Sequence, residues 1–266
     1  MARRRMTAGT AVVSLAMVLQ GVFALAGPAA AHATLPMVHT LCAFNTSSLA
    51  SLDDPAQRGC RWSAIARAAD VGIVHQNCTI EGTEHNDRLR GTGGKDVICG
   101  FQGDDVIKAL GGNDIVYGGA GKDRILGDGG RDRLVGEDGN DRLVGGAGGD
   151  SMLGQLGNDR LVGGGRSDFM AGGYSDDRYF GGDGDDFVSD TRGSDVADLG
   201  PGADFFDSMK GVDVVHAGAG NDFCISVQDG DPGDFIDGGP GLDHFNADGT
   251  DSWVSAEIGP EFCNGC

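Results

Sequence analysis

The chain has 266 residues, of which 49 are Gly, and its 40 Asp and Glu outnumber its 20 Lys and Arg, which gives a formal charge of −20. Gly at more than twice its usual share excludes an average globular composition, and glycines that do not fall at every third residue exclude collagen. The negative charge repels nucleic acid and anionic membranes and attracts cations, so we expect neither nucleic-acid binding nor membrane insertion.

The first 33 residues have the composition of an export signal. A basic start (residues 3–5) precedes an apolar run (11–26), and small residues then offer cleavage after Ala31 or Ala33. The apolar run is shorter than the roughly 20 residues that a transmembrane helix requires, which makes a membrane anchor the weaker interpretation. Removal of the signal takes away three positive charges and changes the formal charge from −20 to −23. We therefore expect a secreted, extracellular protein.

All seven cysteines follow this signal, in a compartment where disulfides can persist. Cys78 and Cys99 bracket the start of the repeats described below, and we predict a local disulfide between them. Cys263 and Cys266 form a CxxC motif. We interpret this motif as a terminal disulfide or clasp, because it has no second CxxC or His pair at zinc-ligand spacing. The odd number of cysteines leaves at least one thiol free or paired between chains.

Asp recurs every nine residues without a miss from Asp87 to Asp231, and after a shift of three residues the series restarts at Asp234 and Asp243. Gly stands two positions before most of these aspartates, and an apolar residue stands two positions after most of them. A single apolar residue in nine is buried only if it stacks on the next repeat, so the period predicts a solenoid with a thin core. If each repeat makes half a turn, residues 18 apart in the sequence lie one above another at roughly 4.8 Å.

Carboxylates stacked at strand spacing repel each other strongly unless a cation lies between them. Asp oxygens and turn carbonyls, with no regular His or Cys, favour a hard cation, and irregular oxygen cages favour Ca²⁺ over Mg²⁺. An EF-hand is a weaker interpretation of Asp229, Asp231 and Asp234. Position 12 counted from Asp229 is Pro240, where an EF-hand requires a bidentate Glu.

Four segments match GGxGxD, the six-residue motif of a nonapeptide repeat: GGAGKD (118–123), GGAGGD (145–150), GGDGDD (181–186) and GGPGLD (238–243). On these motifs the chain resembles the RTX, or haemolysin-type, calcium-binding repeat family from about residue 81 to 250. The resemblance implies an all-β fold, a parallel β-roll (β-solenoid) with a small irregular N-terminal segment, whose turns hold several Ca²⁺ ions between successive coils on both edges. The metal ligands that it implies are Asp87, Asp105, Asp123, Asp141, Asp159 and Asp177 on one edge, Asp96, Asp114, Asp132, Asp150, Asp168 and Asp186 on the other, and Asp204, Asp222 and Asp243 further along the chain.

Two sets of turns depart from this pattern. The Gly that stands two residues before Asp is replaced by His85, Arg166 and Ser175. The leading Gly is replaced by Asp190, Leu199, Ser208 and Ala217. We expect these turns to bind an ion weakly or not at all, and the best run of repeats to be residues 91–165.

Strand alternation predicts two further columns of stacked residues. If the residue two positions after each Asp points inward, the residue directly after that Asp points outward. One outer face carries Arg88, Arg124, Arg142, Arg160 and Arg178, and the other carries Phe169, Phe187, Phe205 and Phe223. We interpret the Arg column as a solvated rim that balances the acidic turns rather than as a polyanion site, because the net field is so negative. The Phe column predicts a contact surface, covered either by this chain or by a partner through protein or self-association.

No catalytic motif of the HExxH, GxSxG or GxxxxGK[ST] type occurs in the sequence. The domain organisation predicted is a signal peptide (1–33), a small N-terminal cap segment (34–80), the calcium-binding roll (81–250) and a C-terminal tail (251–266). The cap segment is too short for a protease or lipase domain. We therefore predict a secreted, non-enzymatic protein that binds several Ca²⁺ ions and folds in doing so. The alternatives are an extracellular adhesion or matrix module and an accessory domain of a secreted enzyme.

Overall fold

The computed structural model describes residues 77–254 with the exception of 224, 228, 229 and 248. The predicted signal peptide, most of the predicted cap segment and the end of the predicted tail lie outside the described residues. Cys42, Cys60, Cys224, Cys263 and Cys266 lie outside them as well. Within the described part of the chain, no helix is long and apolar enough to cross a bilayer.

Twenty strands form two parallel sheets, and successive strands along the chain alternate between them. Sheet A contains β1 (Ile80–Glu81), β3 (Val97–Gln102), β5 (Ile115–Ala120), β7 (Arg133–Asp138), β9 (Ser151–Leu156), β11 (Phe169–Tyr174), β13 (Phe187–Ser189), β15 (Phe205–Asp207), β17 (Ile225–Ser226) and β19 (Phe245–Asn246). Sheet B contains β2 (Arg88–Arg90), β4 (Val106–Lys108), β6 (Arg124–Gly129), β8 (Arg142–Ala147), β10 (Arg160–Gly165), β12 (Arg178–Asp183), β14 (Val196–Pro201), β16 (Val214–Ala219), β18 (Phe235–Asp237) and β20 (Ser252–Val254).

Residues 18 apart in the sequence pair across neighbouring strands over most of both sheets. Leu143 of β8 pairs with Leu161 of β10, for example, and Met152 of β9 pairs with Met170 of β11. One coil of the solenoid therefore consists of two nonapeptides, one in each sheet. This register confirms the prediction of an all-β parallel β-solenoid in which each repeat makes half a turn.

The core is built around a row of inward side chains from successive strands. The residue two positions after each Asp from Asp96 to Asp213 points inward and is fully buried. The row comprises Ile98, Ile107, Val116, Ile125, Leu134, Leu143, Met152, Leu161 and Met170, and continues through Tyr179, Val188, Ala197, Phe206 and Val215. Because the inward residues of both sheets belong to one apolar cluster, the two sheets face each other across this row.

Most of the central strands are longer than the three residues after each Asp that the resemblance implies. β6, for example, runs for six residues from Arg124 to Gly129 and includes the first residues of the following turn. The turns keep their shape where Gly is replaced, since Arg166 and Ser175 adopt positive φ values of 77° and 84°. These two turns therefore hold their geometry by placing L-residues in the left-handed region, which glycine adopts more readily.

The pairing register lengthens near the C-terminal end of the solenoid. The Asp213 backbone N–H donates to Asp234, and the Asp222 N–H donates to Asp243, so both pairs are 21 residues apart. Asp231, the last residue of the unbroken nine-residue series, is not the residue that the Asp213 N–H contacts. Between the strands the register changes in several steps, since Phe206 pairs with Ile225, Val214 with Phe235, and Phe235 with Ser252.

Cys78 and Cys99 form a disulfide, as predicted from their positions. Their Cα atoms are 6.0 Å apart, within the usual range for such a bond. The disulfide joins the segment just before β1 to β3, the neighbouring strand of the same sheet. It therefore holds the first coil of the solenoid against the second.

A cavity in the core row should destabilise the whole solenoid, because each coil is supported by its neighbours. We expect Leu143→Ala, at a fully buried position, to lower the free energy of unfolding in the presence of calcium by about 2 to 5 kcal/mol. Leu156→Ala is the matched control, because that side chain is 49% exposed and should change the same quantity by less than about 0.5 kcal/mol. Urea denaturation followed by circular dichroism measures both, and equal losses would contradict the assignment of the core row.

Candidate metal centre

The aspartates of the period form two hydrogen-bonded ladders, one at each edge of the roll. In each ladder the Oδ1 atom of one Asp accepts a hydrogen bond from the backbone N–H of the Asp one coil earlier. The distance is 2.8 Å from Asp123 N to Asp141 Oδ1 and 2.8 Å from Asp132 N to Asp150 Oδ1. This bond fixes each carboxylate in the turn and directs it along the axis of the solenoid.

The structure places every predicted metal ligand on one of these ladders. The first ladder precedes the strands of sheet B and contains Asp87, Asp105, Asp123, Asp141, Asp159 and Asp177. The second precedes the strands of sheet A and contains Asp96, Asp114, Asp132, Asp150, Asp168, Asp186, Asp204, Asp222 and Asp243. All of these carboxylates are buried apart from Asp87, which is half-buried.

Three further aspartates that the resemblance does not assign continue the first ladder: Asp195, Asp213 and Asp234. Asp195 and Asp213 belong to the same nine-residue series as the predicted ligands, and Asp234 is the residue at which the series restarts. The signal for all three was therefore present in the period. The turns before Asp195 and Asp213 begin with Asp190 and Ser208 in place of the leading Gly.

The second carboxylate oxygen of each central Asp faces away from that hydrogen bond and has no donor. Among the described residues no hydrogen-bond partner reaches the solvent-shielded Oδ2 atoms of Asp105, Asp114, Asp123, Asp132, Asp141, Asp150, Asp159, Asp168, Asp177 and Asp186. An unpaired buried acceptor is costly, and a charged one is more so. Each central turn therefore offers an oxygen that needs a cation or a proton.

The leading Gly of each regular turn borders the space in which such a cation would lie. A Cβ atom built on Gly127 would lie 2.5 Å from Asp132 Oδ2 and 2.6 Å from the Gly145 carbonyl oxygen of the next coil. On Gly145 the same atom would lie 2.5 Å from Asp150 Oδ2 and 2.8 Å from the Gly163 carbonyl oxygen. Carboxylate and carbonyl oxygens are the ligands that calcium prefers in proteins. A carboxylate of one turn and a carbonyl of the next coil thus converge on a space that only a glycine leaves open, and this donor set fits a hard cation.

Burial raises the pKa values of the ladder carboxylates in the metal-free solenoid. The pKa of Asp123 and Asp132 rises from 3.8 to about 6 and that of Asp141 to about 7, because burial disfavours the charged form. The pKa rises to about 8 for Asp159 and Asp168. The backbone N–H bond to each carboxylate opposes this shift, and the neighbouring carboxylates of the ladder add to it. Without a cation, the folded solenoid therefore retains protons at neutral pH.

In the turn that ends at Asp177, side chains of the protein occupy the space beside the ladder carboxylate. Asp190 takes the leading-Gly position, and its carboxylate lies with those of Asp177 and Asp195 in a group whose oxygens are within 4.8 Å of one another. The Tyr179 hydroxyl donates to Asp190 Oδ1 at 2.5 Å and accepts a hydrogen bond from the Gly172 N–H at 2.8 Å. Burial raises the pKa of both Asp190 and Asp195, and the nearby Asp190 carboxylate helps to raise the pKa of Asp195 to about 10, so this pair holds a proton at neutral pH.

The Tyr179 hydroxyl stands beside Gly172, in the space that the regular turns leave between a carboxylate and a carbonyl. Leu199 and Ala217 take the leading-Gly position in later turns, and their side chains are fully buried and belong to the core. We therefore expect the turns that end at Asp177, Asp204 and Asp222 to hold an ion less tightly than those around Asp132 and Asp150.

The stability of the metal-free solenoid should fall as the pH rises. The raised carboxyl pKa values mean that the folded chain binds more protons than the unfolded chain between about pH 4 and pH 8, so acid favours the metal-free fold. With Ca²⁺ present the dependence should reverse, because protons then compete with the ion for the same oxygens. Circular dichroism at about pH 5.5 and about pH 8, in chelator and in calcium, tests both directions. The same pH dependence in both media would contradict the site.

Comparison with protein families supplies an independent result. The RTX calcium-binding nonapeptide repeat (4 copies) matches residues 81–116, 100–134, 117–152, 126–161, 153–188 and 189–224, which together cover more than half of the chain. A comparison with curated proteins finds no match. The matched residues are those that form the two ladders and the core row from β1 to the start of β17. The chain belongs to the RTX (haemolysin-type) calcium-binding repeat family, and its solenoid is an RTX β-roll.

Proposed function

We propose that this protein is a secreted calcium-binding protein whose roll folds when Ca²⁺ enters the turns on both edges. The observation that carries the proposal is the row of buried Oδ2 atoms without a hydrogen-bond partner among the described residues, repeated turn after turn beside a carbonyl of the next coil. A repeated unsatisfied charge is too costly to persist unless it is neutralised. A divalent cation at each turn satisfies the carboxylate and links two coils at once.

The residues best placed to hold Ca²⁺ are the central ladder aspartates with a leading Gly five residues earlier. They are Asp105, Asp123, Asp141 and Asp159 on one edge and Asp132, Asp150 and Asp168 on the other. The bound ions would supply positive charge between carboxylates that otherwise repel each other. The chain's own part is to present the oxygens, which the backbone N–H bonds along each ladder hold in position.

Folding on binding follows from the energetics of the apo chain. A chain with 49 Gly and a large excess of acids loses much backbone entropy on ordering and repels itself when compact. Binding free energy then becomes folding free energy, as in other small metal-dependent domains. The export signal predicted for residues 1–33 supports an extracellular location, where Ca²⁺ in the range of about 10⁻⁴ to 10⁻³ M suffices for weak modules.

The roll itself is a structural calcium-binding module and not a catalytic one. We extend this to the whole chain and propose that it is not an enzyme, because no catalytic motif accompanies the repeats in the sequence. If the roll serves instead as an accessory domain of a secreted enzyme, it accompanies a catalytic domain. A search for activity in complexes recovered from culture medium distinguishes the two.

A calcium titration tests the proposed function directly. We expect little strand signal in EGTA, a cooperative increase over about 10⁻⁴ to 10⁻³ M Ca²⁺, and little response to Mg²⁺ at the same concentrations. Equilibrium dialysis gives the number of bound ions. A strand-rich spectrum in EGTA at neutral pH, or no bound metal at millimolar calcium, would refute the proposal.

A pair of isosteric variants locates the sites within the same titration. Asp141→Asn keeps an acceptor for the Asp123 N–H but removes the charge, so we expect a several-fold higher midpoint and fewer bound ions. Asp138→Asn removes an exposed acid three residues away and should leave both quantities unchanged. Equal effects of the two variants would show that overall charge, and not the ladder, determines calcium binding.

The Phe column supports the second candidate function, an adhesion or matrix module that uses the roll as a spacer. Phe169, Phe187 and Phe205 are in register on sheet A, and the rings of Phe187 and Phe205 stack with centroids 4.1 Å apart. Phe223 continues the column in the backbone, because its N–H donates to the Asp204 carbonyl oxygen just as the Phe205 N–H donates to that of Asp186. Its side chain is 59% exposed, and the centroids of the Phe223 and His244 rings are 6.3 Å apart.

Removal of the stacked rings tests this surface. We expect Phe187→Ser combined with Phe205→Ser either to lower the mass of an assembly or to raise protease sensitivity, depending on whether a second chain or this chain covers the rings. Leu156→Ser, at an exposed position of the same sheet, serves as the control. Analytical ultracentrifugation and limited proteolysis in calcium measure the two effects, and no change in either would defeat the idea of a contact surface.

A further inference from the structure

The outer face of sheet B from β2 to β12 has a charge opposite to that of the chain. The first and third residues of these six strands point outward and form what is hereafter the basic face, which contains seven cations and no acid: Arg88, Arg90, Lys108, Arg124, Arg142, Arg160 and Arg178. The exposed acids of these strands, Asp128 and Asp183, lie further along β6 and β12, at their turn ends. The remaining outward positions are apolar: Val106, Leu126, Val144, Val162 and Phe180. Beyond β12 the pattern ends, since Asp198 of β14 pairs with Phe180.

Four arginines of the basic face form a straight row. Arg124, Arg142, Arg160 and Arg178 occupy paired positions on adjacent parallel strands, so their backbones follow one another at strand spacing. Like charges at such positions destabilise a sheet. Within the described residues none of the four arginines has an acid within the 4.0 Å of a salt bridge.

The middle of this row also has unsatisfied donors. The Nε atoms of Arg142 and Arg160 are shielded from solvent and have no hydrogen-bond partner among the described residues. The Arg160 guanidinium lies 3.8 Å from the centroid of the Phe180 ring, which holds it flat against the sheet. A row of held guanidinium groups without counter-charges is suited to anions, which they bind in a bidentate manner.

The negative net charge, which argues against a polyanion site, resides largely in the groups that calcium would neutralise. The ladder carboxylates point into the edges of the roll, whereas the arginines point out from the face. Calcium at the seven best-placed turns would offset 14 of the 23 negative charges of the mature chain, and it would do so at the edges of the roll that flank the basic face. This step rests on the proposed function, because without calcium the ladders repel the same anion.

We infer that the calcium-loaded basic face binds a linear anionic polysaccharide along the axis of the solenoid. The straight Arg row fits an extended polymer that carries anionic groups at short, regular intervals. The apolar column beside it, Leu126, Val144, Val162 and Phe180, offers a flat surface for the non-polar faces of sugar rings. Single-stranded nucleic acid fits less well, because it binds through rows of aromatic platforms and the one aromatic ring here is covered by Arg160.

Binding of fluorescent heparin to the full mature chain tests the inference, with neutral dextran and oligo(dT) as competitors. In saturating calcium we expect heparin to bind with an affinity that falls steeply with salt, and chelator to abolish binding. Arg142→Gln combined with Arg160→Gln should weaken binding at least tenfold. Arg142→Lys combined with Arg160→Lys should restore only part of the affinity, because the charge returns without the bidentate donors of the guanidinium.

The matched control is Lys95→Gln combined with Arg133→Gln, which removes two charges away from the basic face and should leave heparin binding unchanged. Circular dichroism in calcium is recorded for every variant, so loss of fold is seen separately from loss of binding. A wild-type chain that folds with calcium but does not bind heparin overturns this inference alone, whereas a chain that does not respond to calcium overturns the proposed function as well. Equal binding of oligo(dT) or dextran, or equal loss in the control, also overturns it.

Discussion

The structure depends on how carboxylates are accommodated when they are stacked at strand spacing. Parallel pairing with a register of 18 residues places Asp above Asp at both edges of the roll, and the backbone N–H bonds use only one oxygen of each. The other oxygen faces a carbonyl of the next coil. The same geometry that makes the metal-free solenoid unfavourable makes it a set of cation sites. The register that stacks the core side chains therefore also stacks the charged turns, and one cannot form without the other.

Much of this arrangement could be predicted from the sequence, because a solenoid converts sequence period directly into spatial stacking. The nine-residue spacing identified both ladders, the inward row and the outward Arg and Phe columns. Strand length was not predictable from the motif, since pairing continues through glycines that resemble a turn. The 21-residue register was visible as a shift in the series, yet only the structure shows that Asp234 rather than Asp231 receives the Asp213 N–H. The hydrogen bond between Tyr179 and Asp190 was not predictable, because a Tyr at the inward position of the repeat is expected to be a core residue.

The two outer faces show how a repeat can carry different chemistry on the same scaffold. Alternation places one outward residue directly after each Asp, so neighbouring repeats supply it to opposite sheets. On sheet B this position is mostly Arg up to β12, and on sheet A it is Phe in β11, β13 and β15. Because neither side chain enters the core or the turns, both columns are free to vary without disturbing the ladders. Recognition and folding thus use different residues of the same nonapeptide.

The disulfide near the N-terminal end of the described roll links two coils covalently. In a solenoid each coil is stabilised mainly by the coils that it contacts. Cys78, just before β1, is joined to Cys99 of β3 through a bond that does not depend on calcium. An oxidised chain therefore keeps these two coils tethered in the absence of metal, which reduces the entropy that they lose when they order.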